Sequence, residues 1–133
     1  MPILDTNVIL RHLLQDSIEH SPRATAFMAR LQRGEVRVEM PATVVFEAVY
    51  ILEGFYRQRR DTVRNLVAPL LQWRNISISE RDALRRAFDF YVEHNLSFAD
   101  CYHAALAEKA DPPQIVSFDR GFNRIRTIER IEP

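Results

Sequence analysis

Short apolar segments separated by longer stretches of helical periodicity constrain this chain more than any other feature. "PIL" at residues 2–4, "EVRVEM" at 35–40, "NISI" at 75–78 and "QIVSF" at 114–118 have strand character, and "TIERI" at 127–131 adds a last one. Between them, apolar residues recur every three or four positions, as on one face of a helix. Val8, Ile9, Leu10, Leu13 and Leu14 form the first such set. Ser21 and Pro22 read as the cap and first turn of a second helix, which ends near Gly34. Pro41 opens a third, at 42–55, that is apolar nearly all round and is therefore expected to be buried or to meet a partner. Pro69 should kink or end a fourth. Ser79 and Ser97 read as caps of two more helices. Strands separated by helices imply an α/β fold with a mostly parallel sheet and helices on both faces. "QIVSF" is the clearest candidate for a buried strand.

Size and composition narrow the function. With 133 residues, 47% of them hydrophobic, the chain suits one domain spanning 1–133. Lys and Arg number 18, as do Asp and Glu, so the net charge is zero and no bulk field marks a nucleic-acid or membrane binder. A charged partner must therefore meet a local patch. Three glycines leave no glycine-rich phosphate cradle, so no nucleotide cofactor is expected. A single cysteine excludes an internal disulfide and a cysteine-paired zinc site. No apolar run is of membrane-spanning length, and the broken first apolar segment is no signal peptide, so a cytoplasmic location and no membrane partner are expected.

Four acids stand out. Asp5 and Asp119 each close an apolar run, and ligands of open parallel sheets bind beyond the carboxyl ends of strands. A helix or turn cap explains each of them singly. Asp100 lies three residues after Ser97, which is the capping-box spacing. Glu47 sits inside the apolar third helix, where a lone buried carboxylate is costly, and a salt bridge to one of the arginines would satisfy it. Taken together, several carboxylates in one cleft repel unless a cation is present. An all-oxygen, acid-rich site suits magnesium or manganese, which assist phosphodiester cleavage. The basic run "YRQRR" at 56–60 reads as a solvated connection, whereas Arg120, Arg124 and Arg126 are better placed for a substrate strand.

The stretches "ILDTNVIL", "VVFEAVYIL", "SFADCYHAALA" and "VSFDRGF", in this order, resemble the PIN domain of VapC-type toxin ribonucleases, from type II toxin-antitoxin systems. The likeness runs nearly end to end. It implies a three-layer sandwich around a central, mostly parallel sheet of four to five strands, and Mg2+- or Mn2+-dependent endonucleolytic cleavage of RNA. Asp5, Glu47, Asp100 and Asp119 match the family's acidic quartet. Asp5, Asp100 and Asp119 would be metal ligands, with Asp5 and Asp100 the direct ones. Glu47 and Asp119 would hold water on the ion or a second ion. Thr6 and Asn7 would steady Asp5 and, with Arg120, meet the substrate. The resemblance further implies an antitoxin partner and a homodimer, with the helix at 42–55 either lining the antitoxin groove or serving as an ordinary core helix. Gly121 and Asn123 are neutral where many relatives carry a further acid, which argues against tight binding of a second ion. The rival function is a non-cleaving PIN-fold RNA-binding or scaffold module.

Overall fold

The first strand segment is held by two backbone hydrogen bonds: Leu4 N–H donates to the Glu39 carbonyl at 2.8 Å, and Glu39 N–H donates to the Pro2 carbonyl at 2.9 Å. In the computed structural model, which describes residues 1–133, this pairing is a single parallel bridge between Ile3 and Glu39. Glu39 belongs to β1 (Val38–Glu39), which pairs in parallel on its other side with β2 (Ile76–Ser77), in the register Val38 to Ile76. The chain divides into two compact units, Met1–Ser79 and Glu80–Pro133, and these pairings belong to the first.

In that unit the extended backbone of Asp5 (φ −86°, ψ 156°) leads into α1 (Thr6–Leu14), which ends where Gln15 turns left-handed. α2 (Ser21–Gln32) starts one residue earlier than expected, with His20 at the cap position and Ser21 already helical. It stops before Gly34, whose φ of 80° is a left-handed conformation that suits glycine. Contacts between the polar faces add to the packing of α1 on α2: His12 Nδ1 lies 2.9 Å from Thr25 Oγ1, and Gln15 Nε2 donates to the same hydroxyl at 2.7 Å. Alternation along 35–40 is realised in burial, with Val38 and Met40 inside and Arg37 and Glu39 outside, although only two residues pair as strand. α3 (Ala42–Gly54) follows Pro41, and α4 (Arg60–Val67) runs into a short 3-10 segment at Ala68–Gln72 that contains Pro69, the ending expected there. Leu31, Val38, Val45, Leu52, Val63, Leu71 and Ile76 form the core of this unit.

The second unit opens with α5 (Arg81–Glu93), whose cap position is taken by Glu80 in a left-handed conformation, not by Ser79 as expected. α6 (Phe98–Lys109) packs against it through Phe88, Tyr91 and Phe98, whose ring centroids lie 4.6 to 6.3 Å apart. β3 (Gln114–Val116) pairs in parallel with β4 (Glu129–Ile131), so the predicted tail strand forms. Pairing is therefore parallel throughout and the class is α/β, but the strands form two separate two-stranded pairs. The four-to-five-stranded sheet is not seen, since segments of two or three residues offer few ladder bonds. "QIVSF" is not the buried strand expected: Val116 is 67% and Phe118 73% exposed, because β3 has only β4 beside it.

Arg86 of α5 makes the main polar tie to α6, donating from Nε and Nη2 to the two carboxylate oxygens of Glu108 at 2.9 and 3.2 Å. Its guanidinium also lies 4.2 Å from the centre of the Phe90 ring, and Thr127 donates its hydroxyl to Glu108. The hydrogen bond from Arg86 is the main influence holding the Glu108 carboxyl below its usual range, against burial, which pushes it up; the Thr127 bond and the Arg86 charge assist. A depressed folded pKa contributes stability above the unfolded value, and this is lost as the pH falls through the folded one. Glu108→Gln should therefore cost about 0.5 to 1 kcal/mol at pH 7, the upper end for a partly exposed bidentate pair. Urea melts should show the gap to wild type closing as the pH drops below 4.5, the carboxyl's ordinary value.

Candidate metal and catalytic site

Asp5 stands where the first strand segment gives way to α1. It occupies the cap position, yet its side chain makes no capping hydrogen bond; only its carbonyl is used, by Val8 N–H at 3.3 Å. The carboxylate is exposed and has no partner in the protein, so capping does not account for it. Thr6 is 2% exposed, so its side chain is turned into the protein, whereas Asn7 is exposed. Asp5 and Asn7 border a cleft of about 1020 Å3 in the first unit, together with Arg11 and residues of α2.

Glu47 corrects the expectation drawn from its apolar neighbours. α3 buries Val44, Val45, Ala48, Val49 and Leu52, while Thr43, Glu47, Tyr50 and Gly54 lie on its exposed face. Glu47 is thus in water, and no arginine pairs with it. Counting apolar residues hid a two-sided helix, because Phe46, Tyr50 and Ile51 need not be buried to be apolar. Tyr50 is 79% exposed, and Phe55, just past the helix, 80%.

In the second unit Ser97 caps α6 as predicted, its hydroxyl accepting from Asp100 N–H at 3.1 Å. The Asp100 side chain does not complete a capping box, and its partly exposed carboxylate has no partner. Asp119 differs: Oδ1 accepts from Gly121 N–H at 2.8 Å, and its own N–H donates to Ser117 Oγ at 3.0 Å. It caps the 3-10 turn Arg120–Arg124 with one oxygen and keeps the other open. A side chain at Gly121 would crowd this turn, since a Cβ would lie 2.6 Å from Leu96 Cδ2 and 3.0 Å from Asp119 Oδ1, and the Leu96 side chain would have to shift. Arg120 is exposed immediately beside it.

The first unit therefore carries Asp5 and Glu47, and the second Asp100 and Asp119. Within neither unit do three or more His, Cys, Asp or Glu side chains gather at one point. Each of the four offers only oxygen, and Asp5, Glu47 and Asp100 are unbonded by the protein, a chemistry that suits a hard divalent cation. The run at 56–60 behaves as the connection it was read to be, with Arg59 paired to Asp61 at 3.1 Å and Arg60 to Glu53 at 3.5 Å. A PIN domain model matches residues 3–128. The chain belongs to the PIN domain family.

Among characterised proteins, this PIN chain is 28% identical to a VapC ribonuclease of Aquifex aeolicus (strain VF5) over 125 residues, which is 94% of this chain and 92% of the relative. No helix of the PIN chain is long and apolar enough to cross a membrane. Sequence reasoning did not single out the triad of Arg11, Asp16 and Tyr56, in which Arg11 pairs with Asp16 at 3.0 Å and Tyr56 donates to Asp16 at 2.9 Å. Its members are 40 to 45 residues apart in part, and no local pattern links them.

The different duties of the caps are measurable as stability. Ser97→Ala should cost about 1 kcal/mol, the usual loss for a bonded helix cap. Asp5→Ala, with no cap bond to lose, should cost no more than about 0.3 kcal/mol, below that ordinary range. Urea unfolding of both variants against wild type checks the contrast.

Proposed function

We propose that this PIN-domain chain is a divalent-cation-dependent endoribonuclease and the toxin of a toxin and antitoxin pair. The observation that carries this reading is that Asp5, Glu47 and Asp100 are left without hydrogen bond or ion pair in a chain holding 18 basic residues. Carboxylates kept clear of arginine are available to a cation. The family match and the name of the Aquifex relative supply the reaction class.

In this reading Asp5, Asp100 and Asp119 would hold Mg2+ or Mn2+. When bound, the ion offsets charge on the phosphate oxygens and makes water more acidic. Glu47, exposed and unpaired, would hold water at the ion or a second ion. Asp119 is steadied by Gly121 and so presents one oxygen in a set direction. Thr6 fixes the turn behind Asp5, and Asn7 and Arg120 contact the RNA strand, Arg120 through a phosphate. A single three-layer sandwich over residues 1–133 belongs to the same proposal, as do an antitoxin and a homodimer. Exposed Tyr50 and Phe55 are the apolar surface a partner would cover.

Asp5→Asn combined with Asp100→Asn tests the reading, because neither carboxylate is bonded in the fold and the variant should remain as stable as wild type. Calorimetric titration with Mg2+ or Mn2+ should lose its binding signal, and cleavage of RNA should fall by at least about 100-fold, as for loss of an essential polar catalytic group. Cation-dependent cleavage that survives both substitutions overturns the proposal. Binding of RNA by wild type without any cleavage would favour the non-cleaving module instead.

A further inference from the structure

The cleft beside Asp5 has a second wall. On α2, Arg23, Phe27 and Arg30 stand at spacings of four and three residues and share one face of the helix, and all three line the cleft with His20. The helix does not use this face for its core, which is built from Ser21, Ala24, Met28 and Leu31. Arg23 is exposed and has no ion-pair partner. Arg30 has only a 3.5 Å contact to Glu35, whose carboxylate is already gripped by Arg33 at 2.9 and 3.2 Å. Arg23 is thus free, Arg30 is held only by its longer contact to a shared carboxylate, and a half-buried aromatic ring stands between them.

We propose that this face of α2 is a track for single-stranded RNA, with Arg23 and Arg30 on successive phosphates, Phe27 under a base, and the strand passing toward Asp5. The inference rests on the ribonuclease reading above and names the residues that hold its substrate. Seven residues of helix separate the two arginines by about 10 Å along the axis, a span that a backbone crosses in one or two nucleotides. Arginine forks match phosphate oxygens, and an aromatic face accepts any base without sequence preference. A purely apolar ligand would leave Arg23 without a counter-charge. The chain's zero net charge is no obstacle, since the track is local.

The test is binding of a fluorescent single-stranded oligoribonucleotide in EDTA, where no cleavage competes, over a series of salt concentrations. Arg23→Ala with Arg30→Ala should weaken binding at least 10-fold and reduce the slope of log affinity against log salt by about 1.4, for two lost phosphate contacts. The paired lysine variants should restore most of that slope. Phe27→Leu should weaken binding by about 5- to 100-fold and leave the slope unchanged. Unchanged affinity and slope in the arginine pair overturn the track, as does equal displacement of the RNA by polyglutamate, which would assign the face to an acidic peptide. If wild type fails to cleave RNA but the slope changes as expected, the cleavage reading falls and the track stands. If wild type cleaves and the arginine variants bind and cleave as it does, the track alone falls.

Discussion

Two backbone hydrogen bonds between residues 2–4 and Glu39 decide where Asp5 stands, and the rest of the first unit follows from that position. They hold the chain extended up to Leu4, which is buried, and the next inward-facing residue is Thr6, also buried. Asp5 lies between these two anchors and must point its carboxylate out. The turn into α1 then happens without help from that carboxylate, because the extended Asp5 backbone already supplies the geometry of a helix start. Asp5 is thereby positioned by packing on either side of it, and its own carboxylate oxygens remain uncommitted.

The second unit places Asp119 by a related device with a different outcome. β3 is tied to β4 through Ser117 N–H and the Ile131 carbonyl at 3.0 Å, and Arg130 reinforces the end of the strand by donating to the Ser117 carbonyl at 2.9 Å and to Asn123 Oδ1 at 3.0 Å. Beyond it, Asp119 does serve as a cap and is oriented by Gly121 N–H. The two acids that close apolar runs are therefore not equivalent. One has both oxygens unbonded, whereas the other is held through one oxygen and leaves the second open.

Zero net charge conceals an uneven distribution. Arg11 with Asp16, Arg33 with Glu35, Arg59 with Asp61 and Arg60 with Glu53 are pairs close in sequence, and Arg86 with Glu108 joins two helices. Exposed pairs of this kind contribute little to stability, but they remove arginines from circulation. Among the side chains left without a partner are the acids Asp5, Glu47 and Asp100 and, facing the cleft beside Asp5, Arg23. A site for a cation and a track for a polyanion are compatible in one protein only if such groups do not neutralise each other first.

Helical periodicity, proline positions and Ser97 made α1, α2, α3, α5, α6 and the break at Pro69 legible from the sequence, because caps and turns act within a few residues. The order of the four acids, and the family they announce, were equally readable. The exposure of Glu47 was not, since an apolar neighbour in sequence says nothing about which side of a helix another element covers. Nor was the exposure of Val116 and Phe118, because burial of a strand depends on what pairs beside it. The freedom of the Asp5 carboxylate and the joining of Arg23, Phe27 and Arg30 to Asp5 around one cleft were decided only by tertiary structure. By itself the sequence determined which chemical groups exist and how each segment prefers to fold. Which of those groups meet, and which stay free of a partner, depended on long-range packing that no local pattern encodes.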